Sequence, residues 1–145
     1  MTTPRAFLAE NQRQSERLRA LVGRLGDGDL ERSVGHGWTV AATLLHLAFW
    51  DLRAAVLIER FERQGVTPSP ADVDALNDAV HLMTGAISSR AIGRLAVEAA
   101  ERVDRRLETM SDRVLEALPA AGPPFSLDRH AHRREHVDEI ERALG

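Results

Sequence analysis

Apolar residues return at intervals of three and four along almost the whole chain, and no segment shows the alternation that a half-buried strand needs. That period confines the fold to packed amphipathic helices. The first helix is predicted from about Pro4, a residue suited to a first turn, to Leu25. Phe7, Asn11, Gln14, Leu18, Leu21, Val22 and Leu25 share one side of it, and Gly26-Asp27-Gly28 stops it. The second opens after Gly35-His36-Gly37-Trp38, takes Thr39 as its N-cap and runs to about Arg63, just before Gly65. On a helical wheel His46, Trp50, Ala54, Leu57 and Phe61 share one face. Leu45, Phe49, Leu52 and Val56 form a second apolar stripe, with Arg53, Arg60 and Arg63 near its margin. A helix apolar on two sides is buried on more than one, against another helix of the chain or a partner subunit.

Pro68-Ser69-Pro70 marks a loop, and Asp72 to about Met83 reads as a short helix or turn segment broken by Gly85. Ser89 is the expected cap of a third long helix, whose stripe is Ile92, Leu95, Ala96, Ala99, Val103, Leu107 and Met110. Ser111 caps a short turn through Leu118, and Pro119 to Pro124 forms the last loop. The fourth long helix spans about Leu127 to Leu144. Four long amphipathic helices imply an all-α four-helix bundle, read as one domain over residues 1–145. The long, partly helical connection from Gln64 to Ser89 implies a crossover rather than a plain series of hairpins.

Composition narrows the chemistry. Cysteine, lysine and tyrosine are absent, which removes disulfides, thiolate ligands, a cysteine nucleophile, Schiff-base chemistry and a phenolic acid. Histidine, aspartate and glutamate remain. A net charge of -3, with arginines spread along the chain, predicts no nucleic-acid partner. The longest near-apolar run, Val40 to Trp50, is shorter than the ~20 residues a bilayer needs, so no membrane partner is expected. A cytoplasmic protein is the simplest expectation.

Three histidines stand out. His132 and His136, four apart in the last helix, project from one face with Cβ atoms roughly 6 Å apart. His46 lies on an inward face of the second helix. Such a pair alone is weak evidence for a ligand set, and a lone inward histidine is ordinarily a satisfied core residue. Together, three uncharged imidazoles on apolar faces would need three separate partners, whereas one divalent metal ion satisfies all of them. His36, His81 and His130 read as surface or loop residues. Arg129 and Arg133 fall near the histidine arc and could hold an anionic group of a ligand; the plainer expectation is that they snorkel to solvent. Asp51 could support a ligand from outside, but reads more simply as a helix-surface carboxylate.

The segments GWTVAATLLHLAFWD, VDALN and HRREHVDEI resemble the DinB/YfiT-like superfamily, which includes the metal-binding domain of mycothiol-dependent maleylpyruvate isomerase and the bacillithiol transferases. The resemblance covers nearly the whole chain. It implies a four-helix bundle with a crossover, and a zinc, nickel or other divalent ion held by His46, His132 and His136. The isomerase-type proteins carry a further C-terminal domain and this sequence ends at Gly145, so isomerisation of maleylpyruvate is not expected. The resemblance implies instead a metal-dependent thiol S-transferase of mycothiol or bacillithiol type, or a hydrolase. With no cysteine in the chain, the low-molecular-weight thiol or other small-molecule substrate is external. The alternative is a noncatalytic metal- or ligand-binding module related to stress. A homodimer is expected, from the second stripe of the long apolar helix and from the resemblance.

Overall fold

The computed structural model describes residues 5–145, so Pro4 lies outside the described residues. Seven α-helices are present among them: α1 (Phe7–Arg24), α2 (Asp27–Leu30), α3 (Val40–Gln64), α4 (Val73–Met83), α5 (Ser89–Thr109), α6 (Asp112–Ala117) and α7 (Arg129–Leu144). Short 3-10 turns, Thr84–Ala86 and Leu118–Ala121, follow α4 and α6. The four long helices are those expected, within a few residues at each end. Around the bundle the order is α1, α5, α3, α7, because α3 packs along α5 and α7 while α1 packs on the same two helices. α3 and α5 are neighbours that run the same way, Glu59 meeting Arg102 and Arg106 and Glu62 meeting Ser111, so the connection between Gln64 and Ser89 returns along the bundle as the expected crossover.

The caps explain most boundaries. The Thr39 hydroxyl accepts from the Ala42 amide and Gly65 ends α3 at φ 85°. Asp72 caps α4 and Ser111 caps α6. At α5 the cap is Ser88, whose hydroxyl accepts from Ala91, not the neighbouring Ser89. Gly26 does not simply stop α1. It opens the single turn of α2, and the Asp29 side chain reaches back to its amide.

One element was not anticipated. Ser33–Gly35 (β1) and Trp38–Thr39 (β2) form a small antiparallel hairpin around His36-Gly37. Both turn residues have positive φ, 59° at His36 and 78° at Gly37, as the tight two-residue hairpin turn requires. The strands are too short to show an alternating pattern. Their work is positional, because β2 leads directly into α3 and sets Trp38 beside its first turns.

The interior has two apolar zones. One gathers Leu18, Leu21, Leu44, Leu47, Ile92, Val137 and Ile140; the other gathers Ala55, Ile58, Phe61, Val103, Leu107 and Val114. Gly93 lets α1 and α5 approach closely, since a Cβ there would lie 3.1 Å from a Val22 methyl. By length and composition α3 could cross a membrane, but 72% of its apolar window is buried inside the bundle, as in a core helix. Its second stripe is only partly covered: Phe49 and Leu52 are half-buried and Val56 is exposed.

Between the two zones lies a polar layer. The Asp51 carboxylate on α3 accepts from Arg129 Nε at 2.8 Å and from Arg133 Nε at 3.2 Å. Arg133 also donates to the carbonyls of Asn11 and Ala100 and to Asp104 on α5. Asp51 and Arg133 are 1% and 0% exposed, and Arg129 is 7% exposed. The expectation that these arginines snorkel, and that Asp51 sits on a helix surface, is overturned. The buried stripe of α7 is Arg129, Arg133, Val137 and Ile140, at i, i+4, i+8 and i+11, and the histidines lie on its flank. Burial works against the Arg133 charge, but Asp51 and Asp104 outweigh it and hold the guanidinium more firmly charged than usual. At Asp104 burial lifts the carboxyl more than Arg133 lowers it. The guanidinium keeps its proton, and its Nη2 stands 3.0 Å from Asp104 Oδ1, so Arg133 is the fixed charge of this contact.

Asn11 completes the attachment. Its side-chain oxygen accepts from the His130 amide and its nitrogen donates to the Leu127 carbonyl, each at 2.8 Å. A residue of α1 thus caps the start of α7, whose own cap residue Asp128 makes no such bond. Removing the shared carboxylate should be costly. We expect Asp51→Ala to lower stability by ~3–5 kcal/mol, because it strands two buried guanidinium groups. Arg90→Ala, which breaks the exposed pair with Asp27, should cost less than ~1 kcal/mol. Urea midpoints for the two variants make the comparison, and equal effects would mean that the polar layer is not holding the bundle.

Candidate metal centre

The attachment of α7 through its arginines turns His132 and His136 toward α3, where His46 waits one turn before Asp51 on the same helix. The three ring centroids form a triangle with every side 4.8 Å. Each ring is half-buried, and one nitrogen from each lies within 4.8 Å of the others. His46 Nε2 and His132 Nε2 stand 2.8 Å apart. The structure therefore brings together all three residues singled out in the sequence, as a cluster that could hold a metal ion.

The donor set fits such an ion. Two imidazole nitrogens in contact can form only one hydrogen bond between them, and only with one ring donating. His46 Nδ1 and His136 Nδ1 are buried without a hydrogen bond, so the cluster leaves polar atoms unsatisfied, a costly state in a protein interior. An ion taking the Nε2 lone pairs of His46 and His132 removes the conflict between those two rings and leaves His46 Nδ1, on the far side of its ring, to another partner. Nitrogens on a tetrahedral zinc stand ~3.3 Å apart, so His46 and His132 need separate by only about half an ångström. His46 and His132 are also held in the neutral form that a ligand needs. Burial, then His136, pushes His46 down to about 4, with Arg129 adding and Asn77 opposing. Burial, then His136 and His46, pushes His132 down to about 2, with Arg129 and Arg133 adding.

Aromatic side chains build the surrounding wall. The Trp38 ring meets His46 edge-on at 5.6 Å and stacks on His81 at 4.8 Å, with 12° between planes. His81 is thus half-buried one ring away from the cluster, not a free surface residue. His36 is exposed in the hairpin turn, as expected. His130 does point away from the cluster but is half-buried, 3.6 Å from Asp128. Trp50 donates from Nε1 to Asn77 at 2.8 Å, which ties α4 to α3. Arg53 crosses the Trp50 ring and donates to the Ser69 carbonyl, holding the crossover loop in place. Glu139 Oε1 lies 3.8 Å from His136 Nδ1, on the side where carboxylates orient metal-binding imidazoles.

The cluster opens on a cavity of about 500 Å³ whose lining includes His46, His132, His136, Trp50, Asn77 and Arg129. Asp128 and Glu135 are exposed at its rim.

The chain matches the family described as the mycothiol maleylpyruvate isomerase N-terminal domain over residues 12–142. It belongs to that family. It is a DinB/YfiT-like domain, and the match takes in α3, α4, α5 and all three histidines. No curated protein and no solved structure matches the chain. In this DinB-like bundle Asn11, Asn77 and Asp104 position the site with no such role legible in the sequence, and Asp51 takes up the supporting role that the plainer surface expectation set aside. A signal existed for Asp51: a lone carboxylate in the otherwise uncharged stretch from Val40 to Leu52 demands a buried partner.

The lowered histidine values have a definite consequence for the metal-free protein. Between pH 6.5 and about 4 the unfolded chain binds protons that the folded His46 and His132 do not, so stability falls as pH falls. We expect the melting temperature of metal-free protein to drop through this window, and His132→Ala to flatten the drop. A slope unchanged in that variant would show that His132 is not held neutral in the fold.

Proposed function

We propose that this protein is a divalent-metal-dependent enzyme acting on a small molecule, of the thiol S-transferase or hydrolase type, with His46, His132 and His136 as the metal ligands. The observation that carries the reading is three imidazoles converging from two helices at the end of a cavity, with the Nε2 atoms of His46 and His132 only 2.8 Å apart. Zinc and nickel suit an all-imidazole set. A divalent ion bound there would supply Lewis acidity, favouring the anionic form of a thiol or of water.

The chain's own residues supply the rest. The histidines present their ring nitrogens, and Trp38 and Trp50 keep one side of the site apolar. The cavity has the volume of a small-molecule site. No cysteine is present, so any thiol must be a co-substrate. The family description names a mycothiol enzyme, which supports a low-molecular-weight thiol in that role. A second reading is a metal- or ligand-binding module without turnover. What favours it is that Asp128 and Glu135, carboxylates on the cavity, are exposed at the rim rather than poised by burial for proton transfer.

Protein purified without a histidine tag is expected to carry about one divalent ion per chain, measured by elemental analysis. His46→Ala should weaken metal binding by more than the roughly 10–100-fold typical of losing an outer partner. Substoichiometric metal that His46→Ala leaves unchanged would sink the site. Thiol-conjugation and ester- or amide-hydrolysis panels on loaded protein then separate the enzyme from the module. Turnover should vanish on chelation and return with the ion; turnover that survives chelation counts against the metal-dependent mechanism.

A further inference from the structure

We infer that the cavity recognises a carboxylate-bearing ligand through the free edge of the Arg129 guanidinium, beside the three histidines. The inference rests on the reading of this cavity as a ligand site, and adds to it the chemical class of the ligand. Two arginines share Asp51, but they are not equivalent. Arg133 spends its donors inside the protein, on Asp51, Asp104, Asn11 and Ala100. Arg129 is oriented through Nε by Asp51, at 2.8 Å, while its Nη2 is buried with no hydrogen-bond partner. Arg129 lines the cavity and Arg133 does not.

An unsatisfied guanidinium nitrogen in a side chain only 8% exposed is costly unless something binds it. Asp51 locks the guanidinium in place, so little side-chain entropy is lost when a ligand docks. The charge balance favours an anion. Asp51 and Asp104 balance the two guanidinium groups of this layer, and imidazole ligands, which carry no negative charge, would leave a bound divalent ion's charge uncompensated. The rim carboxylates Asp128 and Glu135 are exposed and screened by solvent. A planar carboxylate suits the flat edge of a guanidinium. The ligand would then be gripped at two points, its acid group on Arg129 and its reacting end at the histidines.

The test compares 3-mercaptopropionate with its methyl ester, titrated calorimetrically into zinc-loaded and metal-free protein. Wild type should bind the acid at least ~10-fold more tightly than the ester, the scale of one charge-assisted hydrogen bond. In Arg129→Gln that ratio should fall to near one, with ester affinity and metal content unchanged. Should the glutamine variant not fold, Arg129→Lys retains a cation beside Asp51 without the guanidinium fork, and the ratio should fall there too. Acid and ester binding alike in wild type, or a ratio that survives in the variant that folds, overturns the inference. Metal content is read separately. Protein that holds no ion yet prefers the acid in its metal-free form would refute the metal reading while leaving the role of Arg129 standing.

Discussion

The structure turns on one carboxylate. Asp51 sits in the middle of the most apolar helix, at the level where one hydrophobic zone gives way to the other, and both inward arginines of α7 converge on it. Desolvating a carboxylate and two guanidinium groups is expensive, and the Coulombic return does not by itself make such a layer more stable than an apolar one. What it does supply is register. A leucine in place of Arg133 could slide along α3 by a turn with little penalty; a guanidinium that must meet Asp51, Asp104 and two backbone carbonyls cannot.

That register determines the site. His132 precedes Arg133 by one residue, and His136 lies on the same flank one turn later. Once the arginines are seated, both imidazoles face α3 at the height of His46, and the equilateral arrangement of rings follows. Asn11 secures the start of α7 from a third helix, so the histidine-bearing turn is fixed by α1 and α3 together. The aromatic wall is assembled separately, by the hairpin that delivers Trp38 and by the crossover helix that meets Trp50 through Asn77. The cavity lies where these attachments meet, and burial there keeps His46 and His132 uncharged.

Much of this was legible in advance. The helical period, the caps at Thr39 and Ser111, and the inward placement of His46, His132 and His136 are local properties, set by spacing of three or four residues. The misreadings were also local in origin. Ser88 and Ser89 are equally good caps by type, and only the hydrogen bond to Ala91 separates them. The Gly35-His36-Gly37 turn was visible, but strands of three and two residues carry no periodic signal. Arg133 was taken for a snorkelling residue because a wheel shows which face a side chain is on, not whether a carboxylate awaits it there.

The amino-acid sequence by itself determined that the chain forms helices, which of their faces are apolar, and that any thiol chemistry must import its thiol. It also determined that three histidines point inward. Tertiary structure alone decided that those three meet, that Asp51 is a buried anchor rather than a surface charge, and that Arg133 is fully engaged while Arg129 keeps one edge free. The physical reason is range. Hydrophobic periodicity acts along a helix and can be read from a single segment. The satisfaction of a buried charge depends on atoms contributed by α1, α3, α5 and α7 at once, and no segment read alone contains that information.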